Sequence, residues 1–399
     1  MLTVSESTTT ESTAMSYSLN IKPRIKKIYP FYQLSDELFR IGAQVGITFD
    51  IKDPHSHMWT LVNSMDGTKT ISEVTNVITN RFPEITKTDV LNAIHQLNEM
   101  GSLESSEESQ YENEDLSINR YIGNVNYYSH YTKLGSDKST VQDTLKKSKV
   151  TLLGLGGGGT NVLMMLSGLG IGNIKALDYD KVELSNLNRQ FFYTEPDIGR
   201  FKTDVANERM KLTNSDINFS TVQRKIETYS DLLDVIDGSD LVISTIDEPQ
   251  FLAFRRVNKA CVTKDIPCIF AGGQVTRGRV FGVNPGVSGC FDCMHIHYLK
   301  HAPMFEAQFK GFHDSGFEVP TLAYPPGIAM LCGVLVSESV KAITGYLEPK
   351  IFGKQLEVNY ETGSCEEFRT WERYPEECPT CGSGQETDWP VFSYYKEKL

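Results

Sequence analysis

The stretch Val150–Gly159, Val-Thr-Leu-Leu-Gly-Leu-Gly-Gly-Gly-Gly, limits the fold more than any other part of the chain. Its opening residues are apolar on both parities, as in a strand buried on both faces. Gly154, Gly156 and Gly159 fit the G-x-G-x-x-G spacing, with Gly157 between them. Such a turn lets backbone N–H groups approach a nucleotide at the start of a helix. Asn161-Val-Leu-Met-Met-Leu-Ser reads as that helix, and Ile174-Lys-Ala-Leu-Asp178 as a second strand. The acid lies nineteen residues beyond the last glycine (178 − 159), where a ribose-binding carboxylate belongs. Phe219–Arg224 predicts a third strand and Asp240–Ile246 a fourth, ending at Asp247. This alternation predicts an α/β fold with a doubly wound, Rossmann-like parallel sheet. Ligands of such sheets sit at the C-terminal strand ends, so Asp178 and Asp247 are expected to face one crevice.

Glycine spacing alone is a weak signal, and the residues that follow it are more specific. Asp178-Tyr-Asp-Lys-Val-Glu-Leu-Ser-Asn-Leu-Asn-Arg-Gln190 resembles the signature of the ThiF/MoeB/ubiquitin-activating superfamily, which adenylylates C-terminal carboxyl groups with ATP. Asp197-Ile-Gly-Arg-Phe-Lys202 resembles that family's Gly-x-x-Lys element. The resemblance implies a nucleotide site formed by Gly154, Gly156, Gly157, Gly159, Asp178, Asp180, Asn186, Arg189, Gln190, Lys202 and Asp247. Asp178 is assigned to the ribose hydroxyls. Asp247 is assigned to Mg²⁺, because two carboxylates beside a triphosphate need a cation between them. Arg189 and Lys202 then stabilise charge moving onto the departing pyrophosphate, and Asn186 and Gln190 hold phosphate oxygens or orient Arg189.

Plainer readings stand beside these. A single Arg or Lys at a helix start is most often a solvated charge. Asp247 also suits the cap of a helix opening at Glu248-Pro249. Glu248 stands where the family often has Asn, a departure that leaves CTP open beside ATP.

Asn119-Arg-Tyr-Ile-Gly-Asn-Val-Asn-Tyr-Tyr-Ser-His130 resembles the Arg-Tyr motif that precedes the first strand in this superfamily. The resemblance implies a homodimer in which Arg120 reaches the partner's nucleotide site as a fourth catalytic residue, with Arg189, Lys202 and Asp247. The alternative is an arginine bracing Glu114 and Asp115. Arg-Tyr followed by Asn and Tyr-Tyr-Ser resembles the MccB branch of that superfamily, which adenylylates the microcin C precursor peptide.

Before that motif, residues 21–104 alternate as strands at Lys26–Tyr32, Leu38–Gly42 and Gly46–Ile51. Helical patterns follow around Trp59, at Ile71–Ile78 and at Val90–Met100. Three strands and three helices predict a small winged-helix-like domain. Asp66-Gly67 with Thr70-Ile-Ser-Glu-Val, and Leu97–Leu103, are similar to PqqD-like peptide-recognition domains, which implies a short ribosomal precursor peptide as partner. A DNA-binding winged helix is rejected: the third helix carries Asp89 and Glu99 against Lys87, with no basic cluster for phosphates. The organisation expected is a disordered tail at 1–20, the peptide-recognition domain at 21–104, an acidic linker at 105–118, and an adenylylation domain at 119–399. A net charge of −12 and a pI near 5.3 argue against a nucleic-acid partner. With no run of eighteen apolar residues and no signal pattern, a cytoplasmic protein without a membrane partner is expected.

The eight cysteines carry the second strong signal. Cys290-Phe-Asp-Cys293 and Cys378-Pro-Thr-Cys381 are two C-x-x-C pairs, a soft thiolate set suited to structural Zn²⁺. They are separated by 84 residues (378 − 293 − 1), so the site reads as a staple across the domain. Cys261, Cys268 and Cys332 fall in apolar patterns and are expected in the core. Between Met294 and Leu331 there is no cysteine to take an acyl group. That segment reads as a loop bearing His295, His297, His301 and His313, a poorly spaced ligand set expected to be surface polar residues. A peptide adenylyltransferase fits best. The alternatives are a sulfur-carrier-activating enzyme and a non-catalytic leader-peptide-binding partner of an azole-forming enzyme.

Overall fold

A computed structural model describes residues 17–106, 120–246, 248, 249, 251–316, 322–393 and 399. Most of the expected tail and linker, and Asp247, lie outside the described residues. The chain divides into two units, residues 1–142 and 143–399.

In the first unit, β1 (Pro23–Ile25), β2 (Phe31–Ser35), β3 (Leu38–Ile41) and β4 (Phe49–Lys52) precede α1 (His57–Ser64), α2 (Ile71–Arg81), α3 (Lys87–Glu99) and β5 (Leu103–Ser105). Strands β2, β3 and β4 form an antiparallel sheet; the strand expected at Lys26–Tyr32 begins only at Phe31, because residues 26–30 form a turn. A second pairing, β1 with β5, joins residues some eighty apart and has no local sequence signal; Arg24 Nε donates to Glu104 Oε1 across it at 2.7 Å. Helices α2 and α3 begin at capping boxes, in which Thr70 and Thr86 exchange hydrogen bonds with Glu73 and Asp89. The turn before α2 is set by Asp66, which accepts from Thr68 N at 2.8 Å, and by Gly67 at φ 84°. Ile71, Val74 and Ile78 form the buried stripe of α2, each worth about 1.5–3 kcal/mol relative to exposure. Helix α4 (Ile122–Ser129) also belongs to this unit. The turn after it is anchored by buried Lys26, whose Nζ donates to His130 O at 3.0 Å and Thr132 O at 2.7 Å.

Helix α5 (Thr140–Lys147) spans the division and leads into β6 (Lys149–Leu153). The second unit continues with α6 (Gly157–Leu169), β7 (Asn173–Asp178), α7 (Lys202–Thr213), β8 (Asn218–Gln223), β9 (Leu241–Ser244), α8 (Leu252–Lys264) and β10 (Cys268–Gly273). Then come β11 (Arg277–Val283), α9 (Phe291–His301), α10 (Phe305–Ser315), α11 (Pro325–Thr344), β12 (Lys354–Asn359) and β13 (Cys365–Thr370). The sheet order is β13-β12-β11-β10-β9-β6-β7-β8. The five strands from β10 to β8 are parallel, and β11, β12 and β13 extend the sheet antiparallel. The mixed α/β class and the doubly wound core stand as expected. The order of the strands, not their direction, reverses at β6, which has β7 on one side and β9 on the other, so the crevice opens where β6, β7 and β9 end, at Gly154, Asp178 and Thr245.

Further expectations are corrected. The helix after β9 begins at Leu252, with Phe251 at its cap, and not at Glu248-Pro249. The segment after Cys293 is not a loop, because Phe291–His301 and Phe305–Ser315 are helical. His295 is not a surface residue: it is buried among Phe251, Phe291 and Phe305, and burial pushes its imidazole down to about 4. Its spacing with apolar neighbours is that of a core-facing helix, a period that the polar residues between them obscured. Helix α11 is long and apolar enough to cross a membrane by length and composition. Leu331, Cys332, Leu335 and Val336 are buried, as is Glu338, whose Oε2 accepts from Lys350 N at 2.6 Å. That is the pattern of a core helix.

Candidate nucleotide site and metal centre

The glycine turn is built by steric exclusion. Gly154 adopts φ +97°, and a Cβ there would lie 2.9 Å from Thr245 Oγ1. At Gly159 the exclusion is stronger, with a Cβ falling 1.9 Å from Gly154 O. The first turn of α6 therefore sits directly on the end of β6, and its N–H groups point into the crevice. Thr245, which sequence reasoning missed, lies below the turn and donates to Leu153 O at 3.1 Å. Its place at the end of a parallel strand was the available signal.

Asp178 braces this turn. Its Oδ2 accepts from Leu155 N at 2.6 Å and its Oδ1 from Asp180 N at 2.7 Å. Each oxygen keeps a further lone pair for a ligand. Burial pushes its carboxyl above the usual range, offset in part by the Lys202 ammonium and the two N–H donors. Lys202 is itself buried, and its Nζ donates to the half-exposed Asp180 Oδ2 at 2.8 Å. Tyr193 OH donates to Leu155 O at 3.0 Å and closes the far side, a contact that the sequence reading also missed.

Arg189 crosses the glycines: a Cβ on Gly157 would meet its Cγ at 3.2 Å. Its Nη1 donates to Ser185 O at 3.0 Å and Asn188 Oδ1 at 2.9 Å, so these residues orient it. Asn186 Oδ1 accepts from Glu183 N at 3.2 Å and shapes the short turn before Arg189. Gln190 is buried with its Oε1 unpartnered, and its Nε2 lies 3.9 Å from the place of a Cβ on Gly156. The structure thus brings together Gly154, Gly156, Gly157, Gly159, Asp178, Asp180, Arg189, Gln190 and Lys202, the chemistry of a site for phosphate and ribose. Arg120 is exposed in the first unit, on the turn before α4.

The four cysteines converge. Among the described residues, Cys290, Cys293, Cys378 and Cys381 form the group suited to a metal ion, their sulfurs all within 4.8 Å of one another. Cys290 and Cys378 sulfurs are 3.5 Å apart, Cys293 and Cys381 3.3 Å, Cys290 and Cys293 3.9 Å. A tetrahedral metal–sulfur distance of about 2.3 Å requires sulfurs about 3.8 Å apart, so the quartet fits a tetrathiolate ion. Tyr374 N and Cys381 N each direct a hydrogen bond to a cysteine sulfur at 3.4 Å, to Cys293 and Cys378 respectively, as suits thiolates. Cys261, Cys268 and Cys332 are buried in the core, as expected.

Residues 128–380 match the ThiF family. The chain belongs to that family. The sulfur carrier protein ThiS adenylyltransferase of Escherichia coli K12 is 35% identical over 155 residues, 38% of this chain and 60% of that relative. SUMO-activating enzyme subunit 2 of Dictyostelium discoideum is 30% identical over 158 residues, 40% of this chain and 24% of that relative. The chain thus spans less than two thirds of either. Among solved structures, E. coli MccB with ATP matches this ThiF-family chain with a TM-score of 0.71 and 25% identity, over 90% of this chain and 99% of MccB. MccB with AMPCPP and selenomethionine MccA matches to the same extent. The MccB-like fold thus includes the eight-stranded, mainly parallel sheet.

Proposed function

We propose that this chain is a peptide adenylyltransferase that uses ATP, or CTP in its place, to activate the C-terminal carboxylate of a ribosomally made peptide. The product belongs to the biosynthesis of a microcin C-like nucleotide-peptide antibiotic. The observation that carries the reading is the likeness to MccB over 90% of this chain and 99% of that one, a span that a sheet-only resemblance would not reach. MccB has been solved with N-formylated MccA and with a succinimide. The absence of cysteine between Met294 and Leu331 also favours a reaction ending at the acyl-nucleotide over transfer to a thiol.

In this reading the first unit binds the peptide, which adds as a strand beside its three-stranded sheet. The peptide carboxylate attacks the α-phosphorus and pyrophosphate leaves. The N–H groups of the glycine turn and Asp178 hold phosphate and ribose. Arg189 and Lys202 receive the charge that builds on the leaving oxygens, with Asp180 keeping the Lys202 ammonium in place until phosphate competes for it. Asp247 would hold Mg²⁺, which supplies charge neutralisation of the triphosphate. The cysteine quartet would hold Zn²⁺, and four thiolates leave no coordination position for water, so its contribution is structural. Arg120 would act across a two-fold dimer. A peptide ending in asparagine would allow its side-chain amide to close on the activated carbonyl as a succinimide, ahead of a phosphoramidate product. The organisation proposed is a tail at 1–20, a peptide domain at 21–104, a linker at 105–118 and an adenylylation domain at 119–399, in a cytoplasmic protein.

The identity to ThiS adenylyltransferase favours a second reading, activation of a ubiquitin-like sulfur carrier. Pyrophosphate release separates the two, assayed with ATP and CTP against short peptides ending in asparagine and against a carrier ending in Gly-Gly. Release with the carrier alone would overturn the peptide reading.

A further inference from the structure

We propose that Arg255, Asp292 and Thr380 form a latch that sets the spacing of the two cysteine pairs, so that the quartet stands assembled before a metal ion enters. The proposal rests on reading the quartet as a metal site. Each C-x-x-C pair encloses one polar side chain, Asp292 in the first and Thr380 in the second. Thr380 Oγ1 donates to Asp292 Oδ2 at 2.7 Å, so the pairs meet through residues that are not themselves ligands.

Asp292 is fully buried, and a carboxylate next to four thiolates is unfavourable unless it is paired. Arg255, equally buried, supplies the pairing from the first turn of α8: its Nε lies 3.0 and 3.2 Å from the two carboxylate oxygens, and its Nη2 3.0 Å from Oδ2. The guanidinium is fixed in turn by Glu386 Oε1 at 3.1 Å and by the Phe392 ring, 4.2 Å below it. Three residues along α8, Asn258 Oδ1 accepts from Phe291 N at 3.0 Å and pins the same pair again. The first pair is thereby tied to α8, and the second is tied to the first. Four thiolates and a divalent cation would carry a net charge of −2 (−4 + 2); Arg255 offsets Asp292, and Lys259, 3.9 Å from Glu386 Oε1, offsets the second carboxylate on that guanidinium.

An ordinary core ion pair would affect folding without affecting metal exchange, which makes the latch testable. The full-length protein is loaded with Co²⁺, whose tetrathiolate absorption reports the site, and release into excess EDTA is timed. Thr380→Val removes one hydrogen bond and keeps the shape; release is expected to quicken about tenfold, as for other residues that support metal ligands. Thr380→Ser keeps the hydroxyl and is expected to release at the wild-type rate. The control is Thr151→Val, which removes the bond between Thr151 Oγ1 on β6 and Ser239 Oγ in the segment before β9 (2.7 Å) and is expected to lower stability without quickening release. Wild-type release in Thr380→Val, or equal quickening in Thr151→Val or Thr380→Ser, would overturn the latch. A wild-type protein that never develops the cobalt–thiolate band refutes the metal site, and the latch with it.

Discussion

Replacing Gly159 by alanine puts the glycine turn to its most direct test. The added Cβ would lie 1.9 Å from Gly154 O and 2.7 Å from Gly154 C, whereas real Cβ contacts essentially never fall below 3.0 Å. The first turn of α6 must therefore retreat from β6 by at least 1.1 Å (3.0 − 1.9). Gly154 cannot absorb the shift, because it is already at φ +97° with Thr245 behind it. Leu155 moves with it and loses its 2.6 Å bond to Asp178. Overpacking of this kind costs about 1–3 kcal/mol, and a displacement of about 1 Å at a reacting site costs about a hundredfold in rate. Gly168 on the same helix is the control, since a Cβ there meets nothing within 4 Å. Gly168→Ala is expected to stabilise by about 0.5–1 kcal/mol through helix propensity. Thermal unfolding and ATP-binding titrations on both variants decide the matter. If Gly159→Ala binds ATP as the wild type does and unfolds like Gly168→Ala, the reasoning about the turn is wrong.

Cys290→Ser is expected to lower metal content from one zinc per chain and to lower Tm, because a structural ion contributes folding free energy; a fully stable, metal-free wild type would overturn the staple. Asp247→Ala is expected to abolish pyrophosphate formation while leaving the unfolding free energy within about 0.5 kcal/mol of wild type; wild-type turnover would overturn the assignment of Asp247 to Mg²⁺. Mixing Arg120→Ala with Asp247→Ala subunits tests the dimer reading. Half of randomly exchanged dimers are mixed, each with one intact site of two, so about a quarter of wild-type activity is expected, and none in demonstrably mixed dimers would rule out action in trans. Buried Lys26 predicts a pH dependence: burial lowers its ammonium from 10.5 to about 8, so between those values the unfolded chain binds the extra proton. Stability of the first unit should then rise with pH from 8 to 10 by about 1.4 kcal/mol per unit at most, and the slope should vanish in Lys26→Met. An unchanged slope in that variant would refute the assignment.

What the sequence made legible was whatever is encoded within a short window. The strand, glycine turn and helix from Val150 to Leu169 lie in consecutive residues, as does each of the two cysteine pairs; the Thr70 and Thr86 caps are as local but were not read. Contacts between distant residues were not legible. β1 pairs with β5 between residues some eighty apart, and the antiparallel extension β11-β12-β13 is interrupted by α9, α10 and α11. Asp178 was recognised by its position, but its bonds to Leu155 N and Asp180 N depend on how two strands end side by side. Lys26 reads as the start of a strand; its carbonyl partners at His130 and Thr132 lie more than a hundred residues away.

The distance between the cysteine pairs has a consequence during synthesis. Cys378 follows Cys290 by 88 positions (378 − 290), so at roughly 5–20 residues per second the first pair waits about 4–18 s before its partners are made. Throughout that interval its thiols have half a coordination shell, open to oxidants and to whichever soft cation the cell supplies in excess. An ion bound by the quartet would therefore be selected in part by the order in which the ribosome delivers the ligands and by metal supply at that moment, as well as by affinity in the finished protein.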